Sequence, residues 1–213
     1  VSIYYIEKIF SGGFLGVEER RKIVPTRWAI TAVDRAISRY LLTQLRGSDT
    51  ISRSLLFYSA YLGNRFWIYF TPGKYEITWI EIWHPATFYT SQALKPVIIY
   101  NREYVSGTPE YLDGGFEAAK LGVLEYLYSI ERQAKVYIVR EILPDYYAPV
   151  GNWHIRESIR NALRSPPLAQ NITIEEALEL ISSTSFIAAN ALRDYIKARR
   201  SLPLDLYLFG KAE

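Results

Sequence analysis

The spacing of apolar positions switches repeatedly between a period of three to four and a period of two, and each switch predicts an element. Residues 2–10 mix apolar and charged positions as a short helix does, and Ser11-Gly12-Gly13 supplies its stop. Ile30, Val33, Ile37, Tyr40 and Leu41 recur at three and four and predict a helix from about Thr31 to Leu45, ended by Arg46-Gly47-Ser48-Asp49. The β-rich segments Leu55–Leu62 and Arg65–Thr71 flank Gly63-Asn64 and read as a hairpin. A third strand, Tyr75–Trp83, follows Pro72-Gly73, and the three together read as an antiparallel meander, with Val97–Tyr100 as a further strand. After the turn-rich loop Ser106–Gly115 come an amphipathic helix from about Phe116 to Gln133 and a buried strand, Val136–Ile142. Three helices close the series: Trp153–Leu163, Ile174–Ser182 behind a Thr173 cap, and Phe186–Arg199.

These elements predict an α+β fold with a mixed, largely antiparallel sheet, packed helices and a helical C-terminal region. The expected organisation is a mixed core over 1–150, a helical region over 151–200 packed on that core, and an apolar tail over 201–213. At 213 residues with 49% apolar and 22% charged positions, the chain has the balance of a folded globular protein. Its formal net charge of +3 permits a basic patch but does not declare one. With no cysteine, disulfides, thiol nucleophiles and cysteine-held metals are excluded from this stretch, and the two histidines form no metal-binding motif. No signal peptide or apolar run of membrane-spanning length is present, which favours a soluble, cytoplasmic protein without a membrane partner. The absence of Met, an initiator included, is expected of a processed chain or of a piece of a longer one.

Candidate chemistry concentrates in a few places. Arg20, Arg21, Lys22 and Arg27 precede or flank Trp28, a combination suited to phosphate contact with base stacking; the alternative is a solvated basic loop with Trp28 in the core. Asp34 is a candidate acid–base group or a simple partner of Arg27 or Arg35. His84, at a strand end, either faces a cleft or caps, and Glu141 closes a hydrophobic strand beside Arg140. His154, Arg156 and Arg160 lie near a helix start, with Arg156 available to an anion or to Glu157 or Glu141. No nucleophile elbow, Walker loop or dinucleotide fingerprint occurs.

Several spellings in order, Val24-Pro25-Thr26-Arg27-Trp28-Ala29-Ile30, Gly63-Asn64-Arg65-Phe66, Gly114-Gly115-Phe116-Glu117, Arg132-Gln133-Ala134-Lys135-Val136 and Ala148-Pro149-Val150-Gly151-Asn152-Trp153-His154, resemble the archaeal Nre DNA-repair proteins. That resemblance implies the C-terminal part of such a protein, downstream of a cysteine-containing, zinc-finger-like segment. It also implies DNA and the sliding clamp as partners. The clamp-binding motif would fall on Ser201, Leu204, Tyr207, Leu208 and Phe209, with Ser201 where the family's Gln is expected. Gln133-Ala134-Lys135-Val136 is more remotely similar to the segment carrying the catalytic Glu of DarT-type ADP-ribosyltransferases, but Lys135 occupies that Glu's place. A cation cannot stabilise positive charge developing on a sugar.

Two main readings follow. The first is a cofactor-free DNA-repair protein that binds DNA through Arg20, Arg21, Lys22, Arg27 and Trp28 and the clamp through its tail. The second is an NAD- or nucleotide-binding enzyme acting on DNA, with Arg27, Arg140, His154 and Arg156 as anion or nucleotide ligands and Asp34, His84 or Glu141 as catalytic groups. A scaffold whose helices bind another repair protein is the third.

Overall fold

The computed structural model describes residues 2–14, 22–104, 109–147 and 150–200. Two compact units divide the chain at Ile172 and Thr173. The first holds α1 (Ile3–Ser11), α2 (Thr26–Leu45), β1 (Leu55–Tyr61), β2 (Asn64–Thr71), β3 (Glu76–Trp83), β4 (Val97–Tyr104), α3 (Gly114–Ser129), β5 (Lys135–Ile142), α4 (Trp153–Arg164) and the short β6 (Ala169–Gln170). Its strands form one six-stranded sheet in the order β4-β3-β5-β2-β1-β6, antiparallel except where β3 meets β5. The α+β class with a mixed, largely antiparallel sheet is therefore the observed one.

The meander, however, is not. β5 inserts between β2 and β3, antiparallel to the first and parallel to the second. The run Val136-Tyr137-Ile138-Val139, apolar on both faces, suits a central place beside the equally apolar Phe66–Phe70 of β2, whereas β3 carries Glu76, Thr78 and Glu81. The hairpin turn is Leu62-Gly63, one residue earlier than Gly63-Asn64. Both residues have positive φ, 47° and 66°, as a tight primed turn requires, and Asn64 pairs with Tyr61 to start β2.

α2 begins at Thr26, a turn before the predicted start. Pro25 sits just outside the helix and fixes its approach, and the buried residues Ala29, Ile30, Val33, Leu41, Leu42 and Leu45 form its inward stripe. α3 is buried on nearly every side and is not amphipathic. The Asp113 side chain accepts from Gly115 N at 2.8 Å to start it, and it ends at Ser129 because Glu131 turns left-handed, with φ of 53°. One face of the sheet, with Phe66, Ile68, Ile77, Trp79 and Ile138, packs into a single core with α2, α3 and α4. Gly122 makes the α3–α4 crossing close: an added Cβ would lie 2.8 Å from Ile159 Cγ2.

The second unit contains α5 (Ile174–Ser182) and α6 (Phe186–Arg200) packed on each other. Thr173 and Glu176 close a capping box on α5, and Ser185 Oγ accepts from Ala188 N at 3.1 Å to cap α6. The tail residues Ser201, Leu204, Tyr207, Leu208 and Phe209 lie outside the described residues. No helix among the described residues is long and apolar enough to cross a membrane.

Candidate functional site

One outward stripe of α2, Arg27, Trp28, Thr31, Ala32 and Arg35, forms one wall of a cleft of about 790 Å³. Tyr89, Leu112, Gly114, Gly151 and Asn152 supply the other wall and the floor. The stripe follows from helical geometry: positions 27, 31 and 35 fall on successive turns, while Ile30, Val33 and Asp34 turn inward. Trp28 is 60% exposed and Tyr89 66% exposed, large apolar areas left in water at the mouth of a cationic cleft. Thr31 Oγ1 donates to Arg27 O at 2.9 Å and is thereby turned back along the helix. At the floor Gly114 allows α2, α3 and α4 to meet, since an added Cβ would collide with Asn152 Nδ2 and lie 2.7 Å from Thr31 Oγ1.

An aromatic series runs inward from the cleft. Phe88 and Tyr89 pack edge to face at 5.0 Å, Tyr89 and Trp83 at 5.3 Å, Trp83 and Tyr146 at 6.5 Å, and Tyr146 stacks on His154 at 5.6 Å. At its inner end lies Arg140, buried, with its guanidinium 5.5 Å from the Trp83 ring centre and 5.9 Å from those of Phe66 and Tyr146. Arg140 donates to Glu81 Oε1 at 2.6 Å and to Asn64 Oδ1 at 2.9 Å, and Trp83 Nε1 donates to Glu81 Oε2 at 2.9 Å. His154 Nδ1 lies 3.1 Å from Gly151 O and so carries the proton, leaving Nε2 to accept from Arg140 at 3.4 Å. Burial and then the neighbouring Arg140 charge push the imidazole down to about 4. Asp113, beside this group, is pushed up to about 6 by burial and by the Glu81 charge.

Glu141 follows Arg140 in β5 and therefore projects from the opposite sheet face, where it accepts from Arg65 at 3.3 Å and faces His84 Nε2 at 2.9 Å. Asp34 and Arg156 form another buried group: Arg156 donates to Asp34 and, at 3.0 Å, to Glu7 Oε1 of α1, while Tyr4 lies over its guanidinium. Burial pushes Asp34 up to about 7 against the pull of Arg156. A third internal cluster joins Lys120 to Glu103 and Glu117, each at 2.7 Å, with Tyr75 donating to Glu103 at 3.2 Å; burial raises Glu117.

Of the residues singled out from sequence, Arg27 and Trp28 thus meet in the cleft, and Arg140 and His154 meet beneath it. Asp34 and Arg156 pair with each other, and His84 pairs with Glu141. The residues of the enzyme reading do not converge: Arg27 lines the cleft, Asp34 lies with Arg156, Arg140 with Glu81 and His154, and His84 with Glu141. Trp28 is outside the core, Asp34 binds neither Arg27 nor Arg35, and Lys22 is exposed, whereas Arg20 and Arg21 lie outside the described residues. Arg35, Tyr89, Leu112 and Asn152 escape the sequence reading. Starting α2 at Thr26 would have found Arg35, eight residues after Arg27; the loop residues carry no periodic signal.

The family model for the N-terminal part of archaeal Nre matches residues 1–90, and that for the C-terminal part matches residues 102–203. DNA repair protein NreA of Archaeoglobus fulgidus is 40% identical over 168 residues, 78% of this chain and 42% of that protein. DNA repair protein NreA of Haloferax volcanii is 33% identical over 212 residues, 98% of this chain and 50% of that protein, and NreB of Archaeoglobus fulgidus is 34% identical over 187 residues, 87% and 47%. This chain spans about half the length of the curated relatives it matches. No solved structure matches it. Two family models, covering successive stretches in order, and relatives matched over most of its length place the chain in the archaeal Nre family.

Proposed function

We propose that this chain is a DNA-binding part of an archaeal DNA-repair protein and that the α2 cleft is its DNA site. The observation that carries the reading is the pair of exposed aromatics, Trp28 and Tyr89, set in a cleft with Arg27 and Arg35. Exposed rings in a cationic groove suit stacking bases and sugar–phosphate oxygens together, and the names of the relatives supply the repair context. Binding is favoured over turnover because Asp34, His84 and Glu141 do not converge on the cleft: Asp34 is held by Arg156, and His84 holds Glu141. In this reading Lys22 adds a further phosphate contact, as do Arg20 and Arg21, which lie outside the described residues.

The tail Ser201–Phe209 recruits the sliding clamp in this reading, with Leu204 as pocket anchor and Tyr207, Leu208 and Phe209 beside it. Fluorescence anisotropy with labelled DNA tests the first part: affinity falls when Arg27 and Arg35 are changed together to Ala, and an unchanged affinity removes the cleft from the interface. Calorimetry of the full chain with the sliding clamp of the source organism tests the second. Binding lost in Leu204→Ala with Tyr207→Ala supports the tail; binding retained assigns it elsewhere.

A further inference from the structure

The geometry points to a narrower ligand: the cleft holds an unpaired nucleotide of a DNA strand, with its base against Trp28 and its flanking phosphates on Arg27 and Arg35. This rests on the DNA-binding reading above and specifies which form of DNA the site accepts.

Three features carry it. First, two of the three large apolar side chains exposed in the cleft, Trp28 and Tyr89, are aromatic, with Leu112 the third. Trp28 and Tyr89 are both largely exposed, and Tyr89 is braced edge-on by Phe88 and Trp83, so its position is set before any ligand arrives. A base stacks on a ring with its own π-face. In a duplex those faces are occupied by neighbouring pairs, leaving edges, sugars and phosphates; in a single strand or an extruded nucleotide they are free.

Second, the site is concave. Duplex readers push a helix or ribbon outward into a groove, whereas here α2 presents its stripe to a hollow closed by Leu112, Gly114, Gly151 and Asn152. The hollow, about 790 Å³, falls in the range of pockets that enclose a small-molecule ligand, the size class of one nucleotide. Ala32 and Thr31 are the small members of the stripe and leave room between the two arginines. Asn152 caps nothing with its side chain and offers an amide to the edge of an inserted base.

Third, the charge is placed at the flanks. Eight residues of helix separate Arg27 from Arg35 by about 12 Å along the axis, so positive charge is rooted at both ends of the stripe with Thr31 and Ala32 between. The start of α3 does not compete for a phosphate, because Asp113 already accepts from Gly115 N at 2.8 Å and puts a carboxyl there.

The same stacking and anion chemistry would accept a free nucleotide, so the test separates the sources. A labelled twelve-residue oligothymidylate, the same strand in a blunt duplex, and free dTMP and NAD as competitors are titrated against the full chain and its Trp28→Ala and Trp28→Phe variants. The single strand is expected to bind at least about 10-fold more tightly than the duplex. Trp28→Ala weakens it by about 5- to 100-fold, Trp28→Phe retains most of the affinity, and dTMP and NAD compete poorly. Trp28 is exposed, so its loss leaves the fold intact. Equal binding of duplex and single strand, indifferent to Trp28→Ala, overturns the inference while leaving the DNA-binding reading in place. Tight competition by dTMP or NAD overturns it in favour of a free nucleotide, and no binding of either DNA overturns both readings.

Discussion

Arg140 and Glu81 sit directly opposite each other on the parallel strands β5 and β3, and their side chains meet at 2.6 Å inside a cage of Phe66, Trp83 and Tyr146. The pair locks the end of the sheet to the loops that wall the cleft. Removing one partner strands the other charge in a buried setting, so Arg140→Met is expected to destabilise the fold by about 3–5 kcal/mol in urea denaturation. Adding Glu81→Leu to that variant recovers part of the loss; a double variant as unstable as the sum of its singles would contradict the pairing.

His154 makes a signed prediction with pH. Its folded value of about 4 lies below the ordinary 6.5, so the folded protein holds it neutral where the unfolded chain protonates it. This contribution is fully present above pH 6.5 and is lost as the pH falls towards 4, amounting to about 3 kcal/mol. NMR titration of the imidazole should give the depressed value directly, and His154→Asn should flatten the loss of stability over that window.

Asp34 works in the opposite sense. Burial, aided by the nearby Glu7 charge and opposed by Arg156 and Arg160, lets the folded protein keep a proton at Asp34 up to about pH 7. The folded value is raised above the ordinary 3.8, so the favourable term is present below pH 4 and disappears as the pH rises through 7. Asp34→Asn should therefore gain stability relative to the parent between pH 4 and 8. Arg156→Met should lose about 3–5 kcal/mol and, because Glu7 belongs to α1, should open α1 to limited proteolysis.

Gly114 tests the floor of the cleft. Gly114→Ala drives a methyl group into Asn152 and Thr31 and is expected to cost about 1–3 kcal/mol, seen as a lower Tm. Asn152→Ala in the same chain should restore part of it, because the amide is the nearer of the two groups struck.

Salt separates contact from mere proximity. If Arg27 and Arg35 each neutralise a phosphate of a single strand, each change to Ala lowers the slope of log K against log salt by about 0.7. Arg53, which lines a different hollow with Ile51 and Gln170, serves as the control and should leave the slope unchanged.

Much of this architecture is legible in the sequence where the signal is local. Ile30, Val33, Ile37 and Leu41 announce α2, the Thr173–Glu176 box announces α5, and the aromatic and β-branched runs around Trp67 and Trp79 announce strands. Strand order is not local. That β5 lies between β2 and β3 depends on how strands distant in the chain share burial on both faces. The same holds for the site. Arg27 and Trp28 stand out as a basic–aromatic pair, but Tyr89, Leu112 and Asn152 reach the cleft only because three loops end at one corner of the sheet. Arg156 and Asp34, 122 positions apart, read as surface charges until packing buries them together.

The most direct test of the DNA site is the indole N–H spectrum of the chain during titration with single-stranded DNA. The chain has five tryptophans, of which Trp67 and Trp79 are buried and Trp28 faces the cleft. The account predicts that the Trp28 resonance moves and saturates with the binding isotherm while those of Trp67 and Trp79 stay in place. DNA binding that leaves the Trp28 resonance unmoved would contradict it.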